Sequence, residues 1–197
     1  MSPRADVAQE RRARIMQAAL ACFACKGYHL TTMDDIAQRS GLSKGSLYRY
    51  FQSKKELFRS IVEAYFRQME MALQPILEGT LSPTEKLRAM AEVMIDGAAQ
   101  PPVGVMVDLW SLTRYEEDLH QLLHRTYEPR YRNLAAIIET GIQQGEFRLV
   151  NAAHLASLLV ALSDGLIMQG PVMPHWVDRA GQTETWLDTL LQGLRPG

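Results

Sequence analysis

The sequence predicts an all-α chain: an N-terminal three-helix head carrying a helix-turn-helix, joined by one long helix to a C-terminal helical bundle. Three observations predict it. Apolar residues recur at helical spacing along most of the chain, capping residues open successive segments, and no alternating stretch reads as a strand. With 197 residues, 47% hydrophobic and 22% charged, the composition is that of a globular protein. A chain of this size buries about 70% of the surface it exposes when unfolded. Its 13 Gly and 9 Pro are too few for a collagenous or disordered chain.

The first helix runs from Arg11 to Lys26, with Ile15, Ala19, Cys22 and Phe23 on its apolar face and Gly27 to end it. Thr32 caps a short second helix, answered three residues later by Asp35, and Gly41 stops it. Both Asp34 and Asp35 then lie at the positive end of the helix dipole. Ser43 caps a third helix expected to run from Lys44 through Phe51, and Ser53 with Glu56 forms another capping box. The three or four residues between the second and third helices, a glycine among them, suit a helix-turn-helix.

The fourth helix, from about Lys54 to Leu73 or beyond, stripes Phe58, Ile61, Tyr65 and Met69 and is ended or kinked by Pro75. It joins head to body without a flexible linker. Ser82-Pro83-Thr84-Glu85 opens a fifth helix, which Pro101-Pro102 ends. A sixth carries Val105, Met106, Leu109 and Trp110, and a seventh runs from Glu116-Glu117-Asp118 toward Gln144 with a kink at Pro129. Asn151 caps the eighth and Thr183 the ninth, which bears Trp186, Leu187, Leu190, Leu191 and Leu194. Leucines cover most of the eighth helix's circumference while its alanines and Gly165 permit close approach. That pattern suits either one face on the core and one on a partner subunit, or the central helix of a monomer.

Charge divides the chain. The whole sequence has 21 Lys+Arg and 22 Asp+Glu, a net of -1. Residues 1–55 hold ten basic side chains against four acidic, or +6, which leaves -7 for residues 56–197. An electropositive head on an acidic body suggests a polyanion-binding module, the plainer alternative being a solvated basic face. The expected division is accordingly 1–55 for a nucleic-acid-binding domain and 56–197 for the rest.

Within a helix-turn-helix the second helix enters the major groove while its neighbours hold phosphates. Lys44, Ser46, Tyr48, Arg49, Tyr50 and Lys54 supply cations, hydroxyls and phenols for both tasks, and no acid occurs between Asp35 and Glu56. Gly45 weakens a helix by about 1 kcal/mol relative to Ala. It is explained either by close approach of backbone to DNA or by packing against the first helix.

The motifs Ile15-Met16-Gln17-Ala18-Ala19, Phe23 with Gly27-Tyr28, Thr31-Thr32, Ile36-Ala37, Ser40 through Tyr48, Tyr50-Phe51 and Ser53-Lys54-Lys55-Glu56-Leu57 together resemble the tetracycline-repressor (TetR) family of bacterial transcription regulators. The likeness is specific within residues 11–62. It implies an all-helical homodimer whose head binds a double-stranded DNA operator, whose later helices enclose a small-molecule effector, and whose last two long helices dimerise. By position it implies that Thr32, Ser43, Ser46, Tyr48, Tyr50 and Lys54 meet phosphates and that Lys44, Gly45 and Arg49 lie where bases are read. The expected function is a repressor released by a small, lipophilic or aromatic effector, the alternative being a thiol- or metal-switched regulator with the same head.

In the body, Met90, Met94, Met106, Trp110, Tyr127, Tyr131, Leu162 and Met168 could surround an adaptable apolar cavity or belong to ordinary core. Leu155, Leu158, Leu162, Leu166, Trp186 and Leu190 are the expected dimer face. Asp164, a carboxylate in an apolar helix, needs a partner: an arginine or tyrosine of its own chain, a dimer contact or a polar ligand group, with a structural partner favoured.

Other signals carry less. Cys22 and Cys25 form C-x-x-C at the end of a helix where the dipole disfavours a thiolate, with no second ligand pair nearby. His120 and His124 are four apart, but Gln121 stands where a zinc-protease motif needs Glu. No phosphate loop or nucleophile elbow occurs, so neither an enzyme nor a cofactor or metal is expected. No apolar run reaches the roughly eighteen residues of a membrane span, and the N-terminus lacks a secretory stretch, so a cytoplasmic protein without membrane partners is expected.

Overall fold

The computed structural model describes residues 3–96, 102–177 and 179–196. Among them are nine helices and no strand: α1 (Pro3–Leu30), α2 (Met33–Ser40), α3 (Lys44–Tyr48), α4 (Lys54–Glu78), α5 (Pro83–Asp96), α6 (Val103–Leu112), α7 (Glu117–Gln143), α8 (Ala152–Gln169) and α9 (Arg179–Leu194). They form two compact units. One comprises Met1–Tyr65 with Pro101–His120, the other Phe66–Gln100 with Gln121–Gly197. The first unit thus reaches beyond the basic stretch 1–55, adding the first half of α4 and all of α6.

In the first unit Ile15, Phe23, Ile36, Leu47, Phe51 and Phe58 are fully buried and form the heart of the core. Phe58 meets Phe23 and Tyr28 edge-on, with ring centroids 5.3 and 4.9 Å apart, the arrangement aromatic quadrupoles favour. Gly27 (φ 76°) interrupts α1 where the sequence expects its end, although one further turn follows. The Thr32–Asp35 capping box forms as expected: Thr32 Oγ1 accepts from Asp35 N–H, and the Asp35 carboxylate accepts from Thr32 N–H. Gly41 (φ 66°) supplies the left-handed turn into α3, and a Cβ there would lie 2.7 Å from Arg14 Nη2. α3 is shorter than expected. The amides of Tyr50 and Phe51 both turn back on Leu47 C=O, closing the helix so that Phe51 enters the core.

α6 is held on α1 by Asp108, whose carboxylate accepts from Tyr28 N–H at 2.7 Å. Lys55 binds Glu116 and Asp118 at 2.8 and 3.3 Å, tying the start of α4 to the start of α7.

In the second unit α5 packs on α8 and α9 around Ala91, Ile95 and Leu187, with Leu166 and Trp186 against them. Phe147 lies so close to Gly141 that any side chain there would collide with its ring. Pro75 does not end α4: it is exposed and lies inside the helix, which continues to Glu78. Pro129 is likewise inside α7. Pro101, expected to end α5, lies outside the described residues. Thr183 does not cap α9, which starts at Arg179; it is buried in the second turn instead. Asn151 caps α8, its Oδ1 accepting from His154 N–H at 2.9 Å.

α8 is the one described helix that meets the length and composition of a membrane span, a test that core helices of globular proteins also pass, so it does not overturn the membrane expectation. Ala152–Gln169, with a mean hydropathy of 1.4, is long and apolar enough to span a bilayer by length and composition. Its apolar residues form two strips. Ala152, Ala156, Leu159 and Val160 are buried, whereas Leu158 and Leu162 are 51% and 40% exposed.

Candidate nucleic-acid interface

α3 presents its polar residues outward. Ser43 Oγ caps it by accepting from Ser46 N–H at 3.2 Å and donates to Ser46 Oγ, which also accepts from Arg49 Nη2 at 3.1 Å. The hydroxyls and the guanidinium therefore form one chain of hydrogen bonds on an exposed surface. Tyr48 is 42% exposed beside them, Tyr50 is half-buried, and only Leu47 faces the core. Gly45 is exposed and a Cβ built on it meets nothing within 4 Å, which removes packing against α1 as the reason for a glycine there.

The cations divide into held and available. Lys44 pairs with Asp34 at 2.8 Å, and that bond raises its pKa, but both groups are exposed and such a pair is easily exchanged. Lys26 is bonded to Asp35, and together with Thr32 it holds the Asp35 carboxyl far below the usual carboxylate range. Arg12 lies 4.3 Å over the Phe51 ring and donates to Ser60 Oγ. Among the described residues Arg11, Arg14, Arg39 and Arg49 have no carboxylate partner.

Lys54, whose position implies a phosphate contact, is engaged within the head itself. Its ammonium donates to the carbonyls of Tyr28, Thr31 and His29 at 2.7, 2.8 and 3.3 Å and lies 4.4 Å over the Tyr28 ring. Partial burial pushes its pKa down, opposed by the Asp108 carboxylate. All three ammonium protons are engaged in closing the turn that leads from α1 to α2. A sequence signal existed for this: cations in the first turn of a helix oppose its dipole, so Lys54 and Lys55 needed other partners. Asp108 was missed as well, although it is the single charge in the apolar α6.

In the second unit Met90 and Met94 line a void together with Leu134, Leu159, Ser163 and Trp186, residues that the sequence did not assign to it apart from the two methionines. Tyr127 instead belongs to a polar cluster. Arg130 lies 4.7 Å over its ring, and Asp164 is 3.9 Å from Arg130 Nη2 and hydrogen-bonded to Tyr127. Asp164 thus finds the arginine and tyrosine partners expected of it. Burial raises its pKa, with Arg130 opposing, and burial also raises the pKa of Tyr127. Tyr131 is 6.3 Å from Tyr127 by centroids; Leu162 is exposed and Met168 half-buried, while Met106 and Trp110 belong to the first unit. Of the expected dimer face, Leu158 and Leu162 are exposed and Leu155, Leu166, Trp186 and Leu190 half-buried.

Cys22 is buried, which raises its thiol pKa, and Cys25 is exposed. His124 is 3.6 Å from Glu128, and no group of three or more metal-ligating side chains occurs among the described residues.

A capped helix pair with an outward polar second helix, in a chain whose other described elements are all helices, defines a helix-turn-helix DNA-binding transcription regulator. Residues 15–61 match the bacterial regulatory proteins of the tetR family, and residues 83–196 match the C-terminal part of BetI-type transcriptional repressors. The chain is 30% identical to the HTH-type transcriptional regulator YfiR of Bacillus subtilis, over 98% of each. It is 25% identical to the HTH-type transcriptional regulator TtgR of Pseudomonas putida, over 96% of this chain and 94% of that one. A transcriptional regulator of Saccharomonospora viridis, solved in complex with choline, superposes with a TM-score of 0.83 at 25% identity, over 93% of this chain and 96% of that one. The chain belongs to the TetR family.

Proposed function

We propose that this regulator is a homodimeric repressor that places two copies of α3 in successive major grooves, about 34–36 Å apart, and leaves its operator when a small lipophilic or aromatic effector binds the second part of the chain. The observation that carries this reading is the polar outer surface of α3, where Gly45, Tyr48 and Arg49 are exposed and a Cβ at Gly45 would meet nothing. Thr32, Ser43, Ser46, Tyr48 and Tyr50 fix the register on phosphates, and Lys44, Gly45 and Arg49 face the bases; Lys54 acts behind them by fixing the turn. The likeness of residues 83–196 to BetI-type repressors supports repression, and the choline complex of the Saccharomonospora viridis regulator supports a small effector. The exposed leucines of α8 support a partner of the same kind, because an apolar strip left in water is costly. An effector that prefers the released conformation a hundredfold supplies about 2.7 kcal/mol of coupling, enough to empty an operator near its threshold.

The test is a titration of full-length protein against the duplex upstream of its own gene and a scrambled duplex, over 50–200 mM salt. The proposal expects preference for the upstream duplex and an affinity that falls by orders of magnitude with salt. Equal, salt-insensitive binding would overturn it.

A further inference from the structure

The void of the second unit lies between α5, α7, α8 and α9. Its walls are apolar, with Met90 and Met94 from α5, Leu134 from α7 and Leu159 from α8, and no charged side chain lines it. Two residues that carry polar atoms do, Ser163 and Trp186. The Ser163 hydroxyl spends its proton on Leu159 C=O at 2.9 Å, so it has only lone pairs to offer. The Trp186 indole N–H is buried and has no hydrogen-bond partner. Indole can only donate, and a buried donor without an acceptor is rare in a folded protein because it forfeits its bond to water.

We infer that this void takes a small, neutral, largely apolar molecule with one oxygen acceptor, such as a ketone, whose oxygen accepts from Trp186 Nε1–H. The inference rests on the effector reading above and gives that effector its chemistry. Neutrality follows from the lining, since an ion would enter without a counter-charge. A quaternary ammonium binds by facing several aromatic rings, and this void has only that of Trp186. The space as it stands suits about one water molecule. Met90 and Met94 are unbranched and turn easily, so the methionine wall is what yields to a larger guest.

Calorimetry on the full-length protein with acetophenone, its oxygen-free counterpart ethylbenzene, and choline tests the inference. Acetophenone is expected to bind at least tenfold more tightly than ethylbenzene, choline to give no binding, and Trp186→Phe to bring the first two within twofold of each other. If Trp186→Phe fails to fold, the indole N–H resonance of Trp186 in the ¹⁵N-labelled wild type answers the same question: it moves with acetophenone and not with ethylbenzene. Equal affinities, no acetophenone binding because the void holds water only, or choline binding more tightly than acetophenone would each overturn the inference. Duplex binding by the same preparation keeps the two readings apart. Protein that binds its upstream duplex but not acetophenone loses the inference and keeps the regulator, and the reverse result does the opposite.

Discussion

Gly45 stands in the first turn of α3 with open space around its Cα, so alanine fits without strain and favours the helix. Gly45→Ala is therefore expected to stabilise the free protein by up to about 1 kcal/mol in urea denaturation while weakening duplex binding at least tenfold. A methyl group is harmless to the fold and obstructive only where backbone meets another molecule. Lys54 gives the opposite signature. Lys54→Met orphans the carbonyls of Tyr28 and Thr31, so a loss of about 1–3 kcal/mol in stability is expected, with the salt slope of duplex binding unchanged because no phosphate contact is removed. A reduced slope would return Lys54 to the phosphates. Lys54 also shows what the sequence leaves out: its position matches a DNA-contacting one, while its partners within the fold are carbonyls at the end of α1 and at Thr31, 23–26 residues away, and no local pattern gives a side chain's long-range destination.

Helix boundaries were legible where a cap or a left-handed glycine marks them, as at Thr32, Gly41, Ser43 and Asn151. They were not legible where tertiary packing decides. Burial of Phe51 shortens α3, solvent exposure lets α4 pass through Pro75, and the ninth helix begins before its apparent cap at Thr183. The α2 cap carries a pH prediction. Asp35 has a carboxyl held below its ordinary value near 3.8 by Lys26 and Thr32, so the unfolded chain takes up the proton first. Its contribution is complete above that value and declines as pH falls below it. Asp35→Asn should lower the melting temperature at pH 6, and the gap between variant and wild type should narrow on acidification toward pH 2. A gap that widens on acidification would contradict the bonding described for Asp35.

At the scale of the molecule, the charge asymmetry was visible in composition, but not its allocation. Of the ten basic residues in the first 55, Lys26, Lys44 and Lys55 hold carboxylates and Lys54 holds carbonyls, so that among the described residues Arg11, Arg14, Arg39 and Arg49 are left without a carboxylate. The void was not legible beyond Met90 and Met94, because its other walls come from three further helices. The exposed strip of α8 bears on assembly. The double substitution Leu158→Glu, Leu162→Glu places charges on side chains that lie outside the core, so unchanged helicity by circular dichroism with a monomer in sedimentation velocity is expected, together with loss of tight duplex binding. A variant that still sediments as a dimer would move the interface elsewhere.

The central claim is that the outer face of α3 reads base sequence. The most direct measurement is the ratio of affinities for the upstream and scrambled duplexes, taken for wild type and Arg49→Ala at one salt concentration. Arg49 donates only to Ser46 on an exposed surface, so its removal leaves the core intact. The account predicts that the ratio falls at least tenfold, about 1–3 kcal/mol for a lost base contact, with affinity for scrambled DNA nearly unchanged. An unchanged ratio, or an equal loss on both duplexes, would contradict it.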